Sequence, residues 1–129
     1  MSTDTRRALG AHGEIAAVRH LEAAGYRIVE LNYRTRHGEI DVIAADAGHL
    51  VFCEVKARVA GGRRGPASPL EAIGPDKRRR LRHMASEWLI ERAADPARPR
   101  RNEIRFDAIG VLVTPRGELL RLEHVEGAF

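Results

Sequence analysis

The sequence has one cysteine, Cys53, so no internal disulfide can form and a packed core must hold the chain. A lone thiol also fits a reducing, cytoplasmic setting. Aromatic residues are only 5% of the chain, which makes that core aliphatic. No run is long and apolar enough to span a bilayer. The opening MSTDTRRALG has no apolar signal segment. The expectation is therefore a cytoplasmic protein that does not engage a membrane. There is no internal repeat, no GxxxxGK phosphate loop and no serine-nucleophile motif. The six histidines, His12, His20, His37, His49, His83 and His124, are scattered, and none forms a zinc spacing with Cys53.

What is present suits one domain, residues 1–129, with a single core. Hydrophobic residues make up 43% of the chain. The net charge is +4 and the pI about 10.0, a balance that suggests an acidic partner, most commonly nucleic acid. An arginine-rich composition inherited from a GC-rich genome would give the same balance.

The chain is organised around Gly38 to Arg58, GEIDVIAADAGHLVFCEVKAR. Ile40, Val42, Ile43 and Ala44 mark one strand, and Leu50, Val51, Phe52 and Val55 a second. Asp46, Gly48 and His49 supply the turn between them. Alternation puts Glu54 and Lys56 on the face of Leu50 and Phe52, and Val51, Cys53 and Val55 on the other. Asp41, Glu54 and Lys56 thus stand where a buried sheet favours valine. Charges there are costly unless paired or bound to a metal. One reading is an internal salt bridge from Asp41 or Glu54 to Lys56. The other is a hard divalent cation, Mg2+ or Mn2+, held by Asp41, Glu54 and the carbonyl of Val55. Lys56 would then steady a nucleophilic water and the charge developing on a phosphate.

Residues 4–24 read as a helix ending at Gly25, with Ala11, Ile15, Val18 and Leu21 at helical spacing. Glu14 falls on or beside its buried stripe, either paired with Arg6 or Arg7 or facing the site as a further acid. Tyr26 to Tyr33 reads as a strand and Asn32 to His37 as a polar connection. There Arg34 and Arg36 either contact phosphate or are solvated. Gly61 to Pro69 and Asp95 to Glu103 read as loops. Between them a second helix runs from Pro69 to about Ala94, with Gly74-Pro75 allowing its main part to begin near Pro75. Lys77 and Arg80 lie nearer its apolar stripe, and Arg78, Arg79 and Arg82 towards solvent. With Lys56 and Arg58 this run forms a basic surplus next to the candidate site, either a phosphate-binding surface or a solvated face. Two strands follow, Ile104 to Thr114 and Leu119 to Val125. Asp107, inside the first, reads as the partner of an arginine or a sheet-end residue. The order helix, strand, strand, strand, helix, strand, strand predicts an α/β domain with a mixed sheet and two main helices.

Asp41 followed by Glu54-x-Lys56 across a hairpin resembles the active site of the PD-(D/E)xK nucleases. A longer set of motifs is more specific: Gly13-Glu14, Gly25-Tyr26, Asn32-x-Arg34, Gly38-Glu39-Ile40-Asp41 and Phe52-x-Glu54-Val55-Lys56-x-Arg58. It continues through Glu71-Ala72, Lys77, Arg80-Leu81, Arg105-Phe106-Asp107 and Ala128-Phe129. Together these resemble the YraN family of small bacterial proteins, predicted endonucleases related to archaeal Holliday junction resolvases. Cys53 departs from that pattern, where valine is expected. The resemblance implies a restriction-endonuclease-like core with its site at one edge of the sheet. It also implies a Mg2+-dependent endonuclease acting on DNA, with branched or junction DNA as the candidate substrate and catalytic Asp41, Glu54, Lys56 and Glu14. Nucleic acid would be met by Arg34, Arg58, Lys77, Arg78, Arg79, Arg80 and Arg82. Junction resolvases work with two sites, so it further implies a homodimer. The alternative is a nucleic-acid-binding module that keeps the fold without cleaving.

Overall fold

The computed structural model describes residues 3–61, 73–99 and 103–128, with the backbone alone for 3–6. The elements are α1 (Thr3–Ala23), β1 (Arg27–Thr35), β2 (Gly38–Ala45), β3 (His49–Val59), α2 (Pro75–Glu91), β4 (Glu103–Val113) and β5 (Leu119–Val125). This is the expected α-β-β-β-α-β-β order of a restriction-endonuclease-like core. The strands form one sheet in the order β1-β2-β3-β4-β5. β1–β2, β2–β3 and β4–β5 pair antiparallel, and β3–β4 pair parallel in unbroken register from His49↔Glu103 to Val59↔Val113. A parallel pair needs a crossover, and α2 lies within the one that joins β3 to β4. Among the described residues no helix is long and apolar enough to cross a membrane.

The helices cover opposite faces. On one, Leu81, Met84, Ala85 and Trp88 of α2 pack on Ile40, Ile43, Leu50 and Phe52. Phe52 lies edge-on to Trp88 at 5.8 Å between ring centroids and stacks on Phe106 at 5.6 Å. Truncating such a buried ring to alanine typically costs about 3–5 kcal/mol. On the other face, Ala17 and Leu21 of α1 pack on Val42, Ala44, Val51, Cys53, Ile109 and Val111. Cys53 is fully buried there, opposite Glu54 as alternation required, and burial pushes its thiol pKa up, leaving it inert.

A polar network fastens the α1 face to the C-terminal strand. Asp107, 0% exposed, accepts from Arg105 Nε and Nη2 at 2.8 Å and from the Gly127 amide at 3.0 Å. His124 Nε2 lies 2.7 Å from Asp107 Oδ2, and His124 Nδ1 lies 2.9 Å from His20 Nε2 on α1. Arg105 also donates to the Tyr26 hydroxyl. Asp107 is thus the arginine partner that its strand position suggested.

Several boundaries and faces differ from expectation. Ala11 and Ile15 point to solvent, Ile15 being 52% exposed, because α1 docks through Gly13, Ala17 and Leu21 instead. The polar stretch after Tyr33 is no open connection. β1 continues to Thr35, which pairs with Gly38, and only Arg36 and His37 make the turn. Backbone pairing asks little of side chains, so a polar edge strand can run on. α2 begins at Pro75, after extended Gly74, and ends at Glu91. The earlier turn suggested at Pro69, and most of the Gly61 to Pro69 loop, lie outside the described residues.

Candidate active site: an acid cluster facing a basic helix

Two backbone features shape the site. Gly13 of α1 sits against β3, where a Cβ would lie 2.7 Å from the Ala57 Cβ. Its missing side chain lets the helix approach closely and sets Glu14 over the sheet. Asn32, in β1, has φ 52°, a left-handed conformation that asparagine tolerates better than most residues. Its side-chain amide, turned with the nitrogen towards the acids, donates to both Glu14 Oε1 and Glu39 Oε1 at 3.0 Å.

The result is a cluster of Glu14, Glu39 and Asp41, with one carboxylate oxygen of each within 4.8 Å of the others. Regular pairing of β2 with β3 stops at Val42↔Cys53. One step beyond, Asp41 Oδ2 takes the Val55 amide at 2.7 Å. The site therefore lies at the rim where two interior strands part, not on an edge strand, because β2 and β3 are both flanked by other strands. Burial, then the neighbouring Glu54 carboxylate, pushes the Asp41 pKa up to about 8, with only the Val55 amide opposing strongly. Burial likewise raises that of Glu14, partly offset by Asn32.

Glu54, buried at 5% exposure, faces α2. Its Oε1 is held by Lys77 Nζ, and Lys56 Nζ lies 3.5 Å away. The internal ion pair weighed from the sequence is thus present, shared between two lysines. Burial and then Lys77 lower the Lys56 pKa, while contact with Glu54 raises that of Lys77 against the pull of burial. His37, Gly38, Glu39, Asp41, Glu54, Lys77, Arg80, Leu81 and Met84 line one open cleft of about 280 Å3. One wall is acidic and the other carries the α2 cations.

Of the residues singled out from sequence, Asp41, Glu54, Lys77 and Arg80 share that cleft. Glu14 stands beside Asp41, and Lys56 beside Glu54. Glu39 is the acid that residue-by-residue reading missed, although it sat within the Gly38-Glu39-Ile40-Asp41 motif. Arg34 is exposed and pairs with Glu39 at 3.0 Å. Arg58 is exposed near the end of β3. The α2 arginines are less free than expected. Arg78 is half-buried and donates to the Ile73 carbonyl at 3.4 Å. Arg79 pairs with Asp76, and Arg82 lies 5.1 Å above the Phe106 ring.

The donor set at the rim is all hard oxygen, which fits Mg2+ or Mn2+ rather than a thiophilic ion. The raised pKa values of Asp41 and Glu14 come first from burial and then from neighbouring carboxylates, and a divalent cation would offset both.

The chain is similar to proteins of several actinobacteria. It is 43% identical over 122 residues to a UPF0102 protein of Rhodococcus opacus, covering 95% of this chain and 96% of that one. It is 42% identical over 129 residues to a UPF0102 protein of Frankia alni, covering 100% of both. With one from a Mycobacterium species it shares 46% identity over 115 residues, 88% of this chain and 79% of that protein. A family model described as uncharacterised protein family UPF0102 matches residues 13–111, a span that holds Glu14, Glu39, Asp41, Glu54, Lys56 and Lys77. The chain therefore belongs to the UPF0102 family, the YraN family whose motifs it carries.

Proposed function

We propose that this protein is a divalent-metal-dependent endonuclease hydrolysing phosphodiester bonds in DNA, with branched DNA as its substrate class. The observation that supports this most is the convergence of Glu14, Glu39 and Asp41 on one rim of a cleft whose far wall is cationic. Asp41 and Glu14 meet amide donors and other carboxylates, and Glu39 shares exposed Arg34, so the cluster keeps negative charge that a divalent cation would offset.

Asp41 is common to both possible ligand sets for Mg2+ or Mn2+. One adds Glu14 and Glu39, and the other adds Glu54 and the Val55 carbonyl. When bound, such an ion polarises a phosphoryl oxygen and lowers the pKa of a bound water. Glu54 fixes the ammonium groups of Lys56 and Lys77. Lys56 would hold the attacking water through Nζ and, as the ammonium, steady its developing negative charge. Lys77 and Arg80 meet the charge that builds on the phosphate. Arg34, Arg58, Arg78, Arg79 and Arg82 would follow the backbone to either side. A homodimer would supply the second site that symmetric cleavage of a junction needs.

The test compares wild type with Lys56→Met on four-way junction, flap, duplex and single-stranded DNA, with Mg2+ or Mn2+. Wild type should cut at least one branched substrate, and Lys56→Met should slow cleavage about 100-fold or more while binding is retained. Wild-type protein that binds these DNAs but never cuts them would replace the nuclease reading with a binding module.

A further inference from the structure

A second cluster, distinct in chemistry from the acid rim, joins the β1–β2 turn to α2. His83 and Glu87 stand one helical turn apart on α2, so their side chains share a face. Across from them the tight turn presents His37. His83 Nε2 is 3.2 Å from Glu87 Oε1, and His37 Nε2 is 3.8 Å from the same oxygen. The imidazoles meet edge to face, 4.7 Å between centroids. One ligand atom from each residue lies within 4.8 Å of the other two.

We infer that His37, His83 and Glu87 form a binding site for a borderline transition cation of the Zn2+ class, bridging the two walls of the cleft. Zn–N bonds of 2.0–2.1 Å in a tetrahedron put neighbouring ligand atoms about 3.3 Å apart, which the His83–Glu87 pair matches at 3.2 Å and from which the His37 ring, at 3.8 Å, needs a small inward shift. Two neutral imidazoles and a carboxylate suit Zn2+, Co2+ or Ni2+, whereas Mg2+ and Ca2+ select oxygen. The third element makes the pattern informative. An i,i+4 pair on an exposed helix is ordinary, but a histidine from a separate turn aimed at the same carboxylate is not required by packing. Arg36 Nε donates to His37 Nε2 at 3.4 Å, a long contact that marks Nε2 as the nitrogen with an available lone pair. A cation would displace it.

The consequence is mechanical as well as chemical. His37 lines the cleft beside Gly38, Glu39 and Asp41, whereas α2 supplies Lys77 and Arg80 to it. An ion held by His37, His83 and Glu87 pins the acidic wall to the basic one and leaves a fourth position open to water or a ligand oxygen.

The experiment titrates the metal-free full chain with ZnCl2 alone, reads heat and stoichiometry, and follows the histidine ring signals by NMR. The first, tightest Zn2+ per chain should move the His37 and His83 signals. His83 is exposed, so His83→Ala should fold normally, and it should lower affinity by about tenfold or more. Glu87→Gln should weaken binding in the same direction. Asp41→Asn, which removes the centre of the acid rim, should leave Zn2+ affinity unchanged, and Co2+ should give a visible absorption band lost in His83→Ala. Absence of Zn2+ binding would overturn the inference. So would binding that survives in His83→Ala, or that Asp41→Asn abolishes, since the latter would place the ion on the carboxylates instead.

Discussion

Asp41 and Asp107 are both aspartates on interior strands of one sheet, and the protein treats them in opposite ways. Burial alone would raise the pKa of each. At Asp107, Arg105, His124 and the Gly127 amide reverse that effect and hold the carboxyl below its usual range. At Asp41 the nearest charges are other carboxylates, so burial and repulsion act together and the pKa rises to about 8. One acid is fully partnered and ties α1, β4 and the chain end together. The other accepts from the Val55 amide and otherwise faces the carboxylates of Glu54, Glu14 and Glu39. A buried charge therefore says little by itself; the sign of its neighbours decides whether its carboxyl is held below or above its ordinary range.

Replacing each in turn should separate them most sharply. Asp107→Asn leaves Arg105 and His124 beside a neutral amide and should cost about 3 kcal/mol or more, read as a lower urea midpoint at unchanged slope. Asp41→Asn removes a repulsion, so metal-free stability should rise or barely change while Mn2+ affinity falls. A loss at Asp41 as large as that at Asp107 would break the comparison.

A second effect should appear in pH dependence, as a slope spread over several units. The folded pKa of Asp41 lies above its unfolded value of about 3.9, so between these limits the folded state holds a proton that the unfolded state lacks. Metal-free stability should therefore fall as pH rises from about 4 to 8, by at most about 1.4 kcal/mol per unit. Asp41→Asn should flatten that slope, and saturating Mn2+ should remove it. Asp107 acts with the other sign: its depressed pKa gives stability that is full above the unfolded value and lost as pH falls through the folded one. Denaturation curves collected across pH in both variants would show whether the two slopes oppose each other.

The smallest effect concerns the α2 surface. If Arg78, Arg79 and Arg82 touch phosphates, replacing all three by alanine should lower the salt dependence of DNA binding by about one unit per lost contact. An unchanged dependence would assign them to the Ile73 carbonyl, Asp76 and Phe106, the groups they touch within the chain.

Much of this was legible before any coordinates. Alternation placed Glu54 opposite Cys53, Gly74-Pro75 marked the start of α2, and the Asp46 turn formed as its residues required, with Asp46 Oδ1 accepting from the Gly48 and His49 amides. Asp107 read as an arginine partner or a sheet-end residue, and Arg105, two residues away on the same strand, is that partner. What was not legible depended on broken regularity or on packing. Asn32 takes a left-handed φ within β1 without ending the strand, and its amide joins Glu39 to Glu14, which no period of two can express. Lys77 was grouped with the phosphate-binding cations, and only the docking of α2 reveals that it holds Glu54. His37 and His83 are far apart in sequence, so their meeting depends on how the turn meets the helix.

The contact at Gly13 has a consequence for tolerance. The helix bearing Glu14 and the strand bearing Glu54 and Lys56 are separated by no more than the room one hydrogen atom needs, since a methyl at position 13 would collide with Ala57. Under the proposed function, where displacements of about 1 Å matter, such a contact would be a mechanical stop that sets the spacing between Glu14 and the β3 residues. Position 13 should thus accept fewer substitutions than Glu14 itself, which at least has conservative alternatives. A residue with no side chain and no chemistry fixes the working distance of those that have both.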